Sequence, residues 1–541
     1  MKLVSVSEMR AIEQQADENG LSYAKMMENA GQGLAEEIQF LVYDGEDETH
    51  EALGLVGSGN NGGDTLVALT HLVGAGWRAR AYLLNRKADD LAERFVKAGG
   101  EITLAESDPK FEKLSALIAE ADVVVDGLLG MGLQLPLRAE AAALLTAVNT
   151  AIAAQPSPPY VVAVDCPSGV DCDSGQAAPE VIPASLTVCM AAVKRGLLQF
   201  PAFDLLGELR VADIGLGTKH KLWKETKHFV ADDDLVEDIL PARPADSHKG
   251  TFGTALIAAG SINYTGAAFL AGRAAARSGV GLVQMAVPSP VHMALAGHLV
   301  EATWILLPQE LGVIAESAAD VLAKNLERAT ALLVGPGLGG EDATKSFIEN
   351  LLKGETSARK PGGRMGFMHN DEEKSEAKSL TLPPLVFDAD GLRLLSKLDG
   401  WAKLLPAPAI LTPHPGEMAV LTGLEKDDIQ KDRLGVSAKY AAEWGHVVVL
   451  KGAFTVVAAP DGRLAVIPVA TSALAHAGTG DVLAGLIVGL RAQGAEAYEA
   501  AVAGAWVHAQ AGLIAAEKIG SEAAVLAGDV LDAVAEALSD F

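Results

Sequence analysis

The chain has 541 residues, and its 43 lysine and arginine residues against 70 aspartate and glutamate residues give a formal net charge of −27. At roughly 100–200 residues per domain, this length indicates more than one domain. Hydrophobic residues make up 49% of the chain and charged residues 21%, which is typical of globular proteins and excludes a disordered or fibrous chain. The acidic balance argues against a nucleic-acid or anionic-membrane binder, because both need a basic surface.

The N-terminus and the cysteines indicate where the protein resides. The first twenty residues become acidic and helical, whereas a signal peptide needs an apolar core. The densest apolar run, 482–490, falls short of the roughly 18 residues of a membrane span. Cys166, Cys172 and Cys189 lack C-x-x-C spacing, so we expect small buried side chains rather than a disulfide framework. We therefore expect a cytoplasmic protein, with a homo-oligomer among the states open to it.

Short β-rich apolar runs alternate with longer helical patterns, which is typical of α/β domains with parallel sheets. A polar stretch from about residue 218 to 249 interrupts this alternation, so we place two domains at 1–224 and 225–541. The polar segment 353–384 is expected to be a surface insertion, a flap or a disordered region. The predicted strands are 52–56, 79–84, 123–126, 160–165 and 186–190 in the first domain, and 254–259, 281–287, 331–334, 385–388, 410–412 and 447–450 in the second.

Three strand ends of the first domain carry polar residues and glycines. The segment Gly57–Asp64 follows one strand and precedes a helix that we expect to start near Thr65. Asp126 and Asp165 end two further strands, and a glycine-bearing turn follows each. Each aspartate alone could be only a turn former or a helix cap. Because ligands bind at the carboxyl ends of strands in open parallel sheets, we expect the three ends to converge on one pocket.

These motifs (GNNGGD, D-x-L-L-G and D-x-P-S-G-x-D) and the opening helix resemble the YjeF-type N-terminal domain of NAD(P)HX epimerases over about residues 1–217. The resemblance implies a Rossmann-like three-layer sandwich that interconverts the R and S forms of hydrated NADH or NADPH. It also implies a potassium ion held by Asn61, Asp126 and Ser168, a role that suits oxygen ligands. Asp165 is the candidate for proton movement. The residues implied to bind the hydrated nucleotide are Asn60, Asn61, Gly62, Gly63, Asp64, Gly130, Met131, Gly132, Leu133, Gln134, Leu135, Pro136 and Asp165.

Near the C-terminus, the run 477–485 (AGTGDVLAG) precedes an apolar helix. Its glycines leave backbone N–H groups open at the helix start, where they can bind a phosphate. Asp481 would then lie beside the transferred phosphate and could accept a hydroxyl proton. Other turns follow strands at GPGLG, DADG, TPHPGE and KGAFT. Lys451 in the last of these is available for a phosphate, whereas His414 could equally be structural.

Together these motifs resemble the ribokinase-like ADP/ATP-dependent NAD(P)H-hydrate dehydratases over about residues 231–541. The resemblance implies phosphorylation of the ring hydroxyl by ADP, or by ATP, followed by loss of phosphate to restore NADH or NADPH. Magnesium is expected to accompany the nucleotide. Gly337, His414 and Asp481 are implied to contact the hydrated dinucleotide. The residues implied to hold ADP are Lys451, Gly452, Ala453, Phe454, Thr455, Ala477, Gly478, Thr479 and Gly480.

The leading interpretation is a bifunctional nicotinamide nucleotide repair enzyme that takes NADHX, NADPHX and ADP as small-molecule partners, with no nucleic-acid or membrane partner. One alternative is a ribokinase-like kinase acting on a vitamin precursor alcohol, with a fused non-catalytic domain. Another makes the first domain a binding or scaffold module, as related domains serve in some RNA-processing assemblies. The oxygen set of Asn61, Asp126, Asp165 and Ser168 argues against the scaffold.

Overall fold

The computed structural model divides the chain into two compact units, Met1–His228 and Phe229–Phe541. It describes residues 1–42, 50–87, 89–354, 380–539 and 541, so most of the predicted insertion at 353–384 lies outside the described residues. Within these ranges we find no helix with the length and apolar character needed to span a membrane.

The N-terminal unit alternates strands and helices. Its strands are β1 (Leu3–Val4), β2 (Glu51–Val56), β3 (Arg78–Leu83), β4 (Glu101–Leu104), β5 (Val123–Gly127), β6 (Tyr160–Val164), β7 (Leu186–Met190), β8 (Val193–Lys194) and β9 (Glu208–Ala212). Its helices are α1 (Val6–Glu18), α2 (Tyr23–Val42), α3 (Asn60–Gly74), α4 (Asp90–Ala98), α5 (Glu112–Glu120), α6 (Ala139–Ala153) and α7 (Lys221–Glu225). Seven strands form one parallel sheet in the order β4-β3-β2-β5-β6-β7-β9.

The central strands of this sheet are buried on both faces. All five residues of β5 are buried. Val123 and Val125 pack into one hydrophobic cluster, whereas Val124 packs into another. Successive strand residues point to opposite faces, so a continuous apolar strand requires a cover on each face. The sheet therefore lies between two layers, as a three-layer α/β sandwich predicts.

The expected start of the third helix near Thr65 is wrong, because α3 begins at Asn60. The first turn of the helix is thus built from the glycine-rich segment itself. A β-carbon on Gly62 would lie 2.1 Å from the carbonyl oxygen of Gly57, so only glycine lets the helix start this close to the end of β2.

The C-terminal unit repeats the alternation. Its strands are β10 (His228–Val230), which begins at the boundary, β11 (Thr254–Ala258), β12 (Leu282–Pro288), β13 (Thr303–Leu307), β14 (Gln309–Glu310), β15 (Val313–Ile314), β16 (Ala331–Val334), β17 (Leu385–Phe387), β18 (Ile410–Leu411), β19 (Val447–Leu450), β20 (Val456–Ala458) and β21 (Leu464–Val466). Its helices are α8 (Asp233–Ile239), α9 (Thr265–Arg277), α10 (Ser289–Leu295), α11 (Ala318–Ala323), α12 (Asp342–Lys353), α13 (Asp390–Leu395), α14 (Pro415–Thr422), α15 (Lys426–Lys431), α16 (Arg433–Trp444), α17 (Thr479–Ala492), α18 (Ala497–Ile519) and α19 (Ala527–Ala537).

Ten strands of this unit form one sheet in the order β10-β21-β20-β19-β18-β17-β16-β11-β12-β13. The strands from β19 to β13 pair in parallel. The pairs β19–β20 and β20–β21 are antiparallel and extend one edge. The predicted class, two α/β domains with parallel sheets, is confirmed, whereas the antiparallel extension is absent from the prediction.

Helices α9 and α17 approach each other closely at Gly485. A β-carbon at this position would lie 2.3 Å from the carbonyl oxygen of Ala271 and 2.8 Å from the β-carbon of Ala274. Backbone cannot rotate away as a side chain can, so the helices would have to separate to admit even one methyl group.

Replacing Gly485 with alanine should therefore lower the free energy of unfolding by about 1–3 kcal/mol, despite the better helix propensity of alanine. The matched control is Gly528→Ala in α19, where a β-carbon meets nothing within 4 Å and a neutral or stabilising effect is expected. Urea unfolding of the full chain measures both changes. Equal effects of the two substitutions would contradict the close helix contact.

Candidate active sites

The first candidate site lies where the strand order of the N-terminal sheet reverses, between β2 and β5. From β2 the chain adds β3 and β4 on one side and then places β5 on the other. The turns after β2 and β5 touch, because the N–H of Gly57 donates to the carbonyl of Gly127 over 3.3 Å. Open parallel sheets bind ligands in this kind of crevice. The predicted site residues that follow β2, β5 and β6 therefore converge here.

Asn61, Asp126 and Ser168, the predicted potassium ligands, lie together. The buried Asp126 carboxylate accepts hydrogen bonds from the backbone N–H and the hydroxyl of Ser168, at 2.8 and 2.6 Å. The Asn61 amide donates to the carbonyl oxygens of Leu129, at 3.3 Å, and Val164, at 2.5 Å. Burial raises the pKa of Asp126, and the Ser168 hydrogen bonds offset part of the rise. The Ser168 hydroxyl also lies 3.4 Å from the Leu129 carbonyl oxygen that accepts from Asn61, so the three side chains adjoin one another at this carbonyl.

Asp165 lies directly after β6, which ends at Val164, one residue earlier than predicted. Its φ of +67° is the left-handed region, which is strained for a residue other than glycine. One carboxylate oxygen accepts a hydrogen bond from the N–H of Met190 at 2.8 Å and pairs with the ammonium of Lys194. Burial is the largest effect on the pKa of Lys194 and lowers it, but the charge and hydrogen bond of Asp165, together with Cys189, outweigh burial and raise the pKa. The pair therefore fixes the Asp165 carboxylate in an unusual backbone position.

Two further carboxyl groups lie within electrostatic range of this pair. Burial, followed by the charges of Asp165 and Glu13, raises the pKa of Asp64 well above its usual value. Burial also raises the pKa of Glu13, while Lys194 opposes the rise. The site therefore combines one ion pair with two carboxyl groups that hold a proton more readily than usual. A site that places an ion-paired carboxylate beside carboxyl groups with raised pKa values suits proton transfer.

The other predicted residues of α3 do not all lie in an open pocket. Asn60 is exposed. A β-carbon on Gly63 would lie 2.7 Å from the side chain of Met27, so Gly63 allows α3 to pack closely against α2. Gly62 has the close approach to β2 described above. These two glycines therefore shape the helix start rather than offer a free surface.

The predicted loop 130–136 likewise contains both packed and exposed residues. Gly130 lies beside Asn61, where a β-carbon would be 2.4 Å from the amide oxygen Oδ1. Residues 131–134 line a cavity of about 280 Å³ next to Arg10. Leu135 and Pro136 are exposed. The loop thus links the oxygen cluster to a solvent-facing cavity.

The second candidate site lies at the corresponding reversal of the C-terminal sheet, between β11 and β16. The N–H of Gly260 donates to the carbonyl of Pro336 over 2.8 Å and joins the two turns. Gly335 and Gly337 have φ values of +145° and +63°. A β-carbon on Gly337 would lie 2.7 Å from the β-carbon of Tyr264, so this turn lies against the start of α9. Both glycines satisfy conformations that other residues rarely adopt.

A buried charge network connects three strand ends beside this reversal. Lys451 Nζ lies 2.6 Å from Asp388 Oδ1 and 3.8 Å from Glu417 Oε2. The Thr412 hydroxyl donates to Asp388 over 2.7 Å. Burial is the largest effect on the pKa of Lys451 and lowers it, but the charges of Asp388, Glu417 and Asp481 and the hydrogen bond with Asp388 together raise the pKa. Lys451 therefore remains a cation in the site.

His414 caps the start of α14. Its Nδ1 accepts hydrogen bonds from the N–H groups of Gly416, at 2.9 Å, and Glu417, at 3.3 Å. Its Nε2 lies 3.3 Å from Glu417 Oε1. Burial lowers the pKa of His414, and the charge of Glu417 opposes this effect. The ring therefore serves as a helix cap, and contact with a substrate stays a prediction.

Asp481 is the third residue of α17 and directly follows the glycine-bearing turn 477–480, which is predicted to bind phosphate. Burial is the main cause that raises its pKa to about 7, the charge of Asp388 adds to it, and Lys451 opposes it. A β-carbon on the preceding Gly480 would lie 3.4 Å from Lys451 Nζ, so the turn and the network adjoin. A carboxylate with this pKa can accept a proton near neutral pH.

A cavity of about 500 Å³ opens between these motifs. Most of the predicted nucleotide residues line it, namely Lys451, Gly452, Ala453, Thr455, Ala477, Thr479 and Gly480, together with His414. The described residues lining this cavity do not include Phe454, Gly478, Gly337 or Asp481. The structure thus brings the KGAFT, TPHPGE and GTGD motifs around one space.

Comparisons with known proteins cover both units. The family described as YjeF-related protein N-terminus matches residues 23–196, and the NAD(P)H-hydrate dehydratase family matches residues 255–360 and 365–535. The bifunctional NAD(P)H-hydrate repair enzyme of Moorella thermoacetica is 36% identical, over 98% of this chain and 96% of its own. The enzyme of that name from Salinibacter ruber is 36% identical, over 96% and 92%. The chain belongs to the family of bifunctional NAD(P)H-hydrate repair enzymes.

This membership confirms the resemblance that the motifs indicated in both domains. One similar solved structure is the ADP/ATP-dependent NAD(P)H-hydrate dehydratase of Bacillus subtilis, co-crystallised with ATP and Mg²⁺. It matches 58% of the present chain. The two are 30% identical, 98% of the Bacillus chain is covered, and the TM-score is 0.46.

Two residues that hold the sites together were not predicted from the sequence. Lys194 ends the apolar run 188–193 and precedes Arg195, so the sequence alone gives a basic pair and does not show which of the two is buried. Glu417 belongs to the quoted TPHPGE motif, but its distance to Lys451 depends on the fold. Neither residue carries a spacing pattern of its own.

Replacing Lys194 with methionine would leave the buried Asp165 carboxylate without its counter-charge. We expect the free energy of unfolding to fall by about 3–5 kcal/mol. The double variant Lys194→Met/Asp165→Asn should recover much of the loss, because it removes both charges. Urea unfolding of the full chain measures the change, with the exposed Lys25→Met as control. A single-variant loss no larger than the control's would contradict the buried pair.

Proposed function

We propose that this chain repairs hydrated nicotinamide dinucleotides in two steps, one in each unit. The N-terminal unit interconverts the R and S forms of hydrated NADH and NADPH, and the C-terminal unit dehydrates the S form to NADH or NADPH. The observation that carries the proposal is the match of both units, within one chain, to repair enzymes at 36% identity over nearly full length. Fusion is chemically sensible, because the first unit supplies the form that the second consumes.

In the N-terminal unit, we assign Asp165 to proton movement during epimerisation at the hydroxylated ring carbon. The fully buried Lys194 requires a counter-charge, which favours an ionised Asp165 as the base. Asp64, whose pKa burial raises, is available as the matching proton donor. An acid and a base with opposite environments are what reversible epimerisation at one carbon needs.

A potassium ion fits the oxygen cluster of this unit. Asp126 and Ser168 present oxygens at one buried point, and a rotated Asn61 amide adds a third. Hard monovalent cations take such ligands. The ion would supply a fixed positive charge beside the strand ends, which would offset the cost of burying the Asp126 carboxylate.

In the C-terminal unit, we assign the 500 Å³ cavity to ADP. The charged Lys451 and the backbone N–H groups of turn 477–480 would hold its phosphates. Asp481 would accept the proton of the ring hydroxyl as that oxygen attacks the terminal phosphorus of ADP, and the bond to the bridging oxygen breaks to release AMP. The phosphate ester formed then leaves as phosphate, and a proton leaves the neighbouring carbon to restore the double bond. Phosphorylation is needed because hydroxide is a poor leaving group.

Magnesium is proposed to arrive with the nucleotide rather than to reside in the protein. The described residues contain no group of three or more histidine, cysteine, aspartate or glutamate side chains placed to bind a metal. Asp388, the nearest carboxylate to Lys451, is already engaged by that lysine and by Thr412. Mg²⁺ commonly keeps phosphate oxygens and water as most of its ligands.

The alternative, a small-molecule kinase with a non-catalytic first domain, accounts for less. It uses the phosphate turn at 477–481 but gives no role to the buried proton-transfer groups around Asp165. The proposal that the substrate is a hydrated dinucleotide gives a role to both sites. The preference for ADP over ATP, the cytoplasmic location and the oligomeric state stay predictions.

Asp481→Asn should reduce dehydration of the S form at least about a hundredfold, because the base is lost. ADP affinity should change less than threefold. In the wild-type chain kcat/KM should rise with pH up to about 7 and then level off, since protonation below that pKa removes the base. NADH absorbance follows the reaction, with the exposed Asp399→Asn as control. Unchanged turnover in Asp481→Asn would refute the assignment.

Potassium should raise the unfolding temperature of the wild-type chain relative to tetramethylammonium at equal ionic strength, because an ion that binds only the folded state stabilises it. At a concentration a hundredfold above its Kd, the gain would be about 2.7 kcal/mol. Ser168→Ala should lose most of this potassium-specific shift, whereas the exposed Ser115→Ala should keep it. Calorimetry measures the shift, and its absence in the wild-type chain would contradict the ion.

A further inference from the structure

Arg433, the first residue of α16, is a half-buried cation that none of the quoted motifs includes. Its Nη1 donates to the side-chain oxygen of Gln430 over 2.7 Å, and its Nε is buried without a hydrogen-bond partner in the described part of the chain. The neighbouring Asp432 carboxylate caps α16 through the N–H of Gly435. The described residues offer the guanidinium no ion pair, and burial lowers its pKa to about 10, so it remains charged at neutral pH.

This guanidinium donates to the backbone at the end of β19. Its Nη2 lies 2.8 Å from the carbonyl oxygen of Leu450 and 3.3 Å from that of Lys451. Hydrogen bonds from a charged donor are stronger than those between neutral groups. Arg433 therefore holds the peptide group that joins Lys451 to Gly452 in one orientation.

The N–H of that peptide group is free to bind a ligand. The Lys451 carbonyl and the Gly452 N–H belong to one planar trans peptide, so they point in opposite directions. Since the carbonyl faces Arg433, the N–H faces away from it. Gly452 lines the 500 Å³ cavity, whereas Arg433 is not among the described residues that line it. Within the ranges that the structure describes, the Gly452 N–H has no hydrogen-bond acceptor.

Glycine at position 452 is what lets the guanidinium lie behind this peptide. Gly452 has a φ of +142°, which other residues rarely adopt. A β-carbon there would lie 3.2 Å from both Nη1 and Nη2 of Arg433, a tight contact. A larger residue would therefore press on the guanidinium and disturb its hydrogen bonds to the two carbonyls.

We propose that Arg433 is a positioning residue for the nucleotide, which holds the Gly452 N–H toward a phosphate of ADP. The inference rests on the proposed function, since it assigns the cavity to ADP. A hydrogen bond to the Lys451 carbonyl also polarises the peptide group, so its N–H becomes a better donor to an anion. The unpaired charge of Arg433 attracts the phosphates without contact. Arg433 thus acts through the backbone of Lys451 and Gly452.

Replacing Arg433 with methionine removes both hydrogen bonds and the charge. The KM for ADP should rise at least about tenfold, which corresponds to about 1.4 kcal/mol. The kcat and the KM for hydrated NADH should change less than about threefold. Calorimetric titration of the full chain with ADP measures the same loss as a change in Kd. Arg433→Lys keeps a cationic donor and should recover at least about half of the lost binding free energy. The matched control is the exposed Arg328→Met, which should keep the wild-type values.

Unchanged ADP affinity in folded Arg433→Met would overturn the role, and so would a parallel loss of kcat and of both affinities. A lysine variant that binds ADP no better than the methionine variant would overturn it as well. If Arg433→Met does not fold, Arg433→Gln replaces it, and its neutral side chain should still raise the Kd for ADP at least about threefold. A wild-type chain that binds ADP but forms no NADH would refute the dehydratase proposal, while the Kd values would still test Arg433.

Discussion

Each unit pairs a lysine ammonium with a buried carboxylate that directly follows a parallel strand of its sheet. Lys194 pairs with Asp165 after β6, and Lys451 pairs with Asp388 after β17. A buried charge is tolerated only when a partner holds it, so each pair fixes the position of both side chains and of the turns that carry them. The rest of each site is arranged around that fixed charge.

Parallel strands favour this arrangement. All their carboxyl ends lie at one edge, and where the strand order reverses the turns diverge and leave a crevice. In the N-terminal unit this brings Asn61, Asp126 and Asp165 together from segments far apart in the chain. In the C-terminal unit it brings His414 and Lys451 to one cavity. The same geometry thus supports the proton transfer proposed for one unit and the phosphate chemistry proposed for the other.

The fold was largely predictable because a strand buried on both faces must be a continuous apolar run, such as 123–125 or 447–450. The start of α3 was not, because glycines that usually signal a loop here permit a close helix approach at Gly62. The short strands β20 and β21 are absent from the prediction, although their apolar runs 456–459 and 464–467 flank the turn residues 460–462 in the pattern of a hairpin. Of the sites, the motifs predicted which turns converge. The roles of Lys194 and Glu417 depend on packing between distant elements, which no local pattern records.

The central claim is that two sites in one chain act in sequence on the same damaged dinucleotide. The most direct measurement supplies purified R-form hydrated NADH with ADP and follows the appearance of NADH. The account predicts that the wild-type chain converts it, whereas Asp165→Asn converts only the S form. NADH formed from the R form at the wild-type rate by Asp165→Asn, beyond spontaneous epimerisation, would contradict the account.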